Sequence, residues 1–452
     1  MAESPLAAYA DLGLRRLRIS DPDLYRLLED EHRRQSRTLA MIAASSVADP
    51  AVHACAGTPL GNVTTEGYPG ARFHAGCEVV DEVERLAVQR ARDLFGARYA
   101  NVQPHSGSTA NQAVMFGLLR PGDVILGMEL SSGGHLTHGS RASVSSHHFT
   151  AVGYGVDDAG FLDYDEVARL AREHRPRLIV CGASAYPRLI DFSRFRTLAD
   201  EVGAVLLADI SHVSGLVAAG LHPSPVDVAH VTTTSTYKQL YGPRGGLILM
   251  GRDADTVFSD TGRTMAETLQ TAVFPRLQGT PHLEAVAAKG HAFALAAKPA
   301  FRALAERIVE GARALAQEFA VLGHRVITGG TDTHMVLIDL REIGITGSVA
   351  EEALETCRII VNKNKIPNDP RGPRVTSGLR FGSNTMAARG MDSQAIRKSA
   401  RLVDQVLRSI ETADPTRWRL PESVRDDVRA EIAALCARHP LPYQLADELI
   451  PS

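Results

Sequence analysis

Between about residues 80 and 290, short apolar runs rich in β-branched residues alternate with longer segments whose apolar positions recur every three or four residues. The runs are Val124-Ile-Leu-Gly-Met-Glu-Leu130, Arg177-Leu-Ile-Val-Cys-Gly182, Ala204-Val-Leu-Leu-Ala-Asp209 and Gly246-Leu-Ile-Leu-Met250. Strands alternating with amphipathic helical segments predict an α/β unit around a mostly parallel sheet. An Ala-rich helical stretch follows from Pro281 to about Leu322. After it, helices mix with a few strands, such as His324-Arg-Val-Ile327 and His334-Met-Val-Leu-Ile-Asp339, which predicts a smaller α+β domain. At the other end, Leu and Tyr are spaced helically through Asp21-Pro-Asp-Leu-Tyr-Arg-Leu-Leu-Glu-Asp-Glu-His-Arg-Arg-Gln35. The expected organisation is a helical arm over 1–40, suited to docking on a partner surface, a large domain over 41–295 and a small C-terminal domain over 296–452.

Composition adds limits. With 452 residues, 44% apolar and 22% charged, the chain has room for two domains with large cores. Its 49 basic and 52 acidic residues nearly cancel, and no Lys/Arg run marks a nucleic-acid or polybasic membrane surface. Cys55, Cys77, Cys181, Cys357 and Cys436 are odd in number, scattered and without CxxC spacing, so they are expected as free buried thiols rather than disulfides or metal ligands. The start, Met1 to Gly13, lacks the basic opening and apolar core of a signal peptide, and no stretch approaches the ~18 apolar residues of a membrane span. A cytoplasmic location is the resulting expectation.

Candidate chemistry gathers in four places. In His230-Val-Thr-Thr-Thr-Ser-Thr-Tyr-Lys-Gln-Leu-Tyr-Gly-Pro-Arg-Gly-Gly246, a hydroxyl-rich strand runs into Lys238 and then a glycine-rich turn. Taken alone, a strand-end lysine is a solvated surface residue; desolvated, its amine condenses with an aldehyde cofactor. Asp209 ends an apolar strand, where a carboxylate either caps the next helix or faces a cofactor at the carboxyl edge of the sheet. Pro104-His-Ser-Gly-Ser-Thr-Ala-Asn111 opens an apolar helix, and its hydroxyl and N–H groups suit either a simple cap or a bound phosphate. Gly133-Gly-His-Leu-Thr-His-Gly139 holds His135 and His138 three apart. A metal is discounted there because no carboxylate or cysteine stands nearby in the sequence.

These stretches resemble the serine hydroxymethyltransferases, a family of fold-type I pyridoxal-phosphate (PLP) transferases with an aspartate aminotransferase-like fold. The likeness runs through Glu66-Gly-Tyr-Pro-Gly70, Asn101 to Ser108, Gly133 to Gly139, Ser184-Ala-Tyr186, Asp209 to Gly220, Lys238 with Gly242 to Gly246, and Asn362 to Pro370 through Arg380. The resemblance implies Lys238 as the Schiff-base lysine, Asp209 on the pyridine nitrogen and His135 stacked on the ring. Ser106, Gly107 and Ser108 would hold the phosphate, Ser184 and His212 the phenolate oxygen and its surroundings, and Arg380 the substrate carboxylate. Glu66 would be the acid/base at the reacting hydroxyl, contributed across the interface of a homodimer or homotetramer. Asn364 is a position that in the family touches folate, as Glu66 does.

Several positions depart from the family pattern. Tyr237 replaces the histidine before the lysine, and Ser235 replaces a threonine beside the cofactor. Ala44-Ser45-Ser46 stands for a serine-glutamate-asparagine run. Thr64, Phe73, His74 and Ser132 replace residues of the folate and substrate side, and Arg276 falls in a segment that is glycine-rich in the family. Because the changes cluster on the acceptor side, the leading expectation is an L-threonine transaldolase of specialised metabolism, which exchanges acetaldehyde for another aldehyde. The alternative is a folate-dependent hydroxymethyltransferase acting on serine or an α-methyl amino acid.

Overall fold

The computed structural model describes residues 4–258, 262–414 and 417–444. Its central sheet has seven strands: β1 (Tyr99–Asn101), β2 (Val124–Met128), β3 (Thr150–Tyr154), β4 (Leu178–Cys181), β5 (Val205–Asp209), β6 (Val231–Ser235) and β7 (Gly246–Met250). They lie in the order β1-β7-β6-β5-β4-β2-β3. Strands β2 to β6 are mutually parallel, while β7 runs antiparallel to both β6 and β1. The apolar runs are continuous because both sheet faces are covered. Along β4, Leu178 and Val180 enter one core with Ile125, Leu207 and Ile248, and Ile179 and Cys181 enter another with Leu126, Leu206 and Leu247. Parallel strands carry their carboxyl ends to one edge, so Met128, Cys181, Asp209 and Ser235 end side by side and the loops after them share a rim.

A second sheet holds β8 (Arg325–Val326), β9 (Met335–Asp339), β10 (Asn362–Asn364) and β11 (Gly378–Gly382), ordered β8-β9-β11-β10 and antiparallel throughout. Leu39 and Met41 pack into its core, and Leu39–Ala40 pairs with Ile359–Ile360, so the chain visits this unit before entering the large sheet.

The N-terminal segment is two helices, α1 (Pro5–Ser20) and α2 (Pro22–Arg37), with Asp21 accepting from the Leu24 N–H to cap the second. Neither buries a residue, and Leu6, Leu14, Ile19, Leu27 and Leu28 are exposed. The helices α3 (Glu78–Phe95) and α4 (Gly107–Leu118) flank the large sheet. The Ala-rich helical stretch is built of two helices, α5 (Leu283–Ala296) and α6 (Pro299–Val321), because a proline that lacks an N–H starts a helix more readily than it continues one. Helix α6 belongs to both units: Phe301, Ala305, Ile308 and Val309 pack in the first core, and Ala312, Leu315, Ala316 and Phe319 in the second. Helices α7 (Ser393–Arg408) and α8 (Glu422–Arg438) close the C-terminal unit. Residues 445–452, the end of the expected small domain, lie outside the described residues.

All five cysteines are unpaired; four are buried, and Cys55 is half-buried rather than buried as expected. Among the described residues, no helix is long and apolar enough to cross a membrane.

Candidate active site

Lys238 follows β6 and is buried. Burial pushes its amine down to about 8; Asp209 pulls the other way, and Arg380 and Arg244 add to the depression. Asp209, at the end of β5, is buried yet held well below the ordinary carboxylate range. Burial opposes this, but the His138 hydrogen bond and the His138 and His135 rings outweigh it. Three groups donate to its carboxylate: Asn111 Nδ2 at 2.8 Å, His138 Nε2 at 3.0 Å and the Ser211 N–H at 3.0 Å. The His135 N–H points to His138 Nδ1 at 3.4 Å, which leaves the His138 proton on Nε2, facing Asp209.

A hydrogen-bonded chain fixes the rest of this end. Thr233 Oγ1 donates to Asn111 Oδ1 at 2.5 Å, Asn111 Nδ2 donates to Thr137 Oγ1 at 2.8 Å, and Thr137 Oγ1 lies 2.9 Å from His135 Nδ1. Burial lowers His135 to about 4, so the ring is neutral at ordinary pH. Gly134 lets the loop pass close to β2, since an added Cβ would sit 2.0 Å from the Met128 carbonyl oxygen.

The fold overturns the reason for discounting a metal. His135, His138 and Asp209 bring ligand atoms within 4.8 Å of one another, because the carboxylate absent from the local sequence arrives from a different strand. The Asp209–His138 hydrogen bond accounts for two of the three groups.

On the neighbouring side, Ser106 caps α4: its Oγ accepts from the Thr109 N–H at 3.0 Å. Gly107 packs tightly against β6, where an added Cβ would meet the Ser235 Cβ and N at 3.2 Å and the Ser211 Oγ at 3.3 Å. Ser108 starts the same helix. Ser235 Oγ and His212 Nδ1 are buried without a hydrogen-bond partner. Orphaned buried polar atoms cost about 1–3 kcal/mol each, so two of them beside a strand-end lysine fit a polar ligand at this rim. His212 stacks on His334 at 5.9 Å, and His334 Nε2 meets the Ala43 carbonyl.

Arg380, on β11, donates from Nε to Asn362 Oδ1 at 3.0 Å and from Nη1 to the Ser184 carbonyl, and its Nη2 makes no hydrogen bond among the described residues. Burial lowers Arg380 to about 10, so it stays charged. Tyr237 lies between cations, with Arg244 Cζ 4.2 Å and Lys238 Nζ 5.7 Å from its ring centroid, and its carbonyl accepts from Ser46 Oγ at 2.6 Å. A cavity of about 1000 Å³ opens at His135 and Ser184, lined also by Leu130, Leu136, Asn364 and Lys365 but not by Lys238, Tyr237 or Arg380.

Glu66 lines a different cavity, of about 490 Å³, with Phe73, Phe274, Arg276, Gln278 and Gly279. Thr64 and His74 are exposed, and Phe73 is 75% exposed with its ring edge-on to Phe274. Arg276 donates to the Phe116 carbonyl near the far end of α4 from Ser106. The Glu66 hairpin is anchored from beneath by Arg72, which donates to the carbonyls of Thr65 and Gly67 and pairs with Asp81 at 2.8 Å and Glu84 at 2.6 Å. Sequence reasoning missed Asn111, Thr137, His138 and Arg72 as positioning groups. Only His138 carried a local signal, its spacing from His135.

A desolvated lysine and an ionised aspartate on the carboxyl rim of a mostly parallel sheet, with a glycine-bearing helix start beside them, define a fold-type I PLP enzyme. The comparisons narrow this. The serine hydroxymethyltransferase family model matches residues 17–403. The chain is 48% identical over 425 residues to a serine hydroxymethyltransferase of Alkalilimnicola ehrlichii, covering 94% of this chain and 97% of that one. It is 46% identical over 421 residues to one of Chromohalobacter salexigens, covering 93% and 97%. The chain belongs to the serine hydroxymethyltransferase family, whose members are PLP-dependent transferases.

Proposed function

We propose that the chain catalyses folate-dependent hydroxymethyl transfer, with serine or an α-methyl serine as the amino-acid substrate. This is the alternative from the sequence, and the two relatives support it over the transaldolase reading. The observation that carries it is the identity of 46–48% to those two serine hydroxymethyltransferases over 93–94% of the chain.

When bound, PLP supplies an electron sink for cleavage of the Cα–Cβ bond. Lys238, already inclined to neutrality, presents a nucleophilic amine near pH 8. Asp209, ionised and held by Asn111, His138 and Ser211, keeps a proton on the pyridine nitrogen. His135, neutral, would help hold the cofactor from beside Asp209. The N–H groups of Gly107 and Ser108 and the hydroxyls of Ser106 and Ser108 would hold the phosphate, and Ser235 and His212 would offer their unpartnered atoms to the cofactor. Arg380 turns its free Nη2 toward a substrate carboxylate. Glu66 moves the proton of the β-hydroxyl, from a second copy of the chain in a homodimer or homotetramer.

The transaldolase reading keeps one support, the clustering of Thr64, Phe73, His74, Ser132 and Tyr237 away from the family pattern. Purified protein given L-serine with tetrahydrofolate, or L-threonine with an aromatic aldehyde, separates the two. Folate-dependent formation of glycine from serine is expected. Acetaldehyde release that depends on the added aldehyde, without folate-dependent serine turnover, overturns the proposal.

A further inference from the structure

Lys289 sits in the middle of α5, 2% exposed. Its Nζ donates to the carbonyls of Val102 at 2.6 Å, Pro104 at 3.0 Å and Gly246 at 3.0 Å. An ammonium has three N–H bonds, and three carbonyls use them all. Removing an ammonium from water is costly, and a methionine fills the same volume without that cost, so packing alone does not account for a lysine here. What it joins is specific. Val102 and Pro104 lie on the segment leading into Ser106, Gly107 and Ser108, and Gly246 ends the turn that trails Lys238. The turn is shaped around the side chain: a Cβ on Gly245 would sit 2.2 Å from Lys289 Cε and 2.8 Å from its Nζ.

We propose that Lys289 is a positioning residue for the cofactor phosphate, tying the segment that forms the phosphate seat to the turn behind Lys238. The seat is then held in its binding shape before the cofactor arrives. This rests on the phosphate lying at the start of α4.

The test titrates apoprotein with PLP and with pyridoxal, which has the same aldehyde but no phosphate. Lys289→Met keeps the length and removes all three donors. PLP affinity is expected to fall about tenfold or more while pyridoxal affinity stays within about twofold, the size expected when hydrogen bonds to a charged group are lost. Lys289→Gln, with two donors, is expected to fall between. Gly245→Ala, which displaces the ammonium without removing it, is expected to shift the ratio in the same direction, and these two variants carry the test if the methionine variant does not fold. Equal loss for both ligands, or unchanged PLP affinity, overturns the proposal. A Ser106→Ala/Ser108→Ala double variant separates the premises. If it lowers the PLP-to-pyridoxal ratio and Lys289→Met does not, the role of Lys289 alone fails. If neither lowers it, the phosphate placement fails as well.

Discussion

Asp209 and Glu66 are both carboxylates of the proposed site, but the chain treats them differently. Asp209 is buried and takes hydrogen bonds from Asn111, His138 and Ser211, each in turn fixed by the fold. Glu66 makes no side-chain hydrogen bond among the described residues, and its neighbours Thr64, Phe73 and His74 are exposed. Only the hairpin backbone beneath Glu66 is held, by Arg72. One half of the site is therefore completed by the packing of a single chain. The other half of the proposed site is presented outward, for a second surface to complete.

The strongest test of this contrast mixes two variants, Lys238→Ala and Glu66→Gln. Each alone is expected to lose about 10²–10⁴-fold in kcat, as positioned proton-transfer and nucleophilic groups do. If Glu66 serves the partner's lysine, a re-equilibrated equal mixture recovers activity toward about one quarter of the wild-type value, because half the dimers are mixed and each has one intact site. No recovery after verified subunit exchange would place Glu66 and Lys238 of one chain in the same site.

A smaller effect is expected at the support under Glu66. Arg72→Met leaves Glu84 buried without its cation and Asp81 with only Arg85 at 3.5 Å, and is expected to cost about 3–5 kcal/mol in denaturant unfolding, with a matching fall in kcat as the hairpin loosens. A stability loss with unchanged kcat would show that Arg72 holds the fold and not the acid.

The mildest test is pH dependence on the buried half. His135 ordinarily titrates at 6.5 but at about 4 here, so between those values the unfolded ring takes up a proton that the folded one refuses. Stability is expected to rise as pH rises from about 4 to 6.5, and His135→Gln should flatten the slope. Lys238 has the same sign in a higher window: its folded value of about 8 lies below the ordinary 10.5, so the apoprotein gains stability as pH rises from about 8 to 10.5. Lys238→Met should remove that gain.

The buried half was the more legible in sequence, for a physical reason. Continuous apolar runs mark parallel strands, and parallel strands end on one edge, so Asp209 and Lys238 meet there by topology alone. Their supports were not legible. Asn111 reaches Asp209 across 98 positions of chain, and His138 across 71, distances over which local pattern carries no information. The same blindness led to discounting a metal at His135 and His138 for want of a nearby carboxylate. Arg276, in the segment that is glycine-rich in the family, holds the Phe116 carbonyl within the chain, a contact across 160 positions that local pattern does not show. Leu39 and Met41, adjacent in sequence to the large domain, belong to the core of the C-terminal unit because a two-residue strand pairs there.

Helix α6, shared by the two cores, has a consequence for how the molecule comes apart. At 23 residues it spans roughly 35 Å. Melting either core strips half of its packing and leaves the remainder too short to persist alone in water. The two units are thus expected to denature in one concerted transition despite their separate sheets. The handover falls between Val309 and Ala312, around Gly311, whose missing side chain lets Ile396 of α7 press against the helix. Glycine is also the weakest helix former on this spine apart from its opening proline, so the residue that admits the tightest contact marks where the spine is softest.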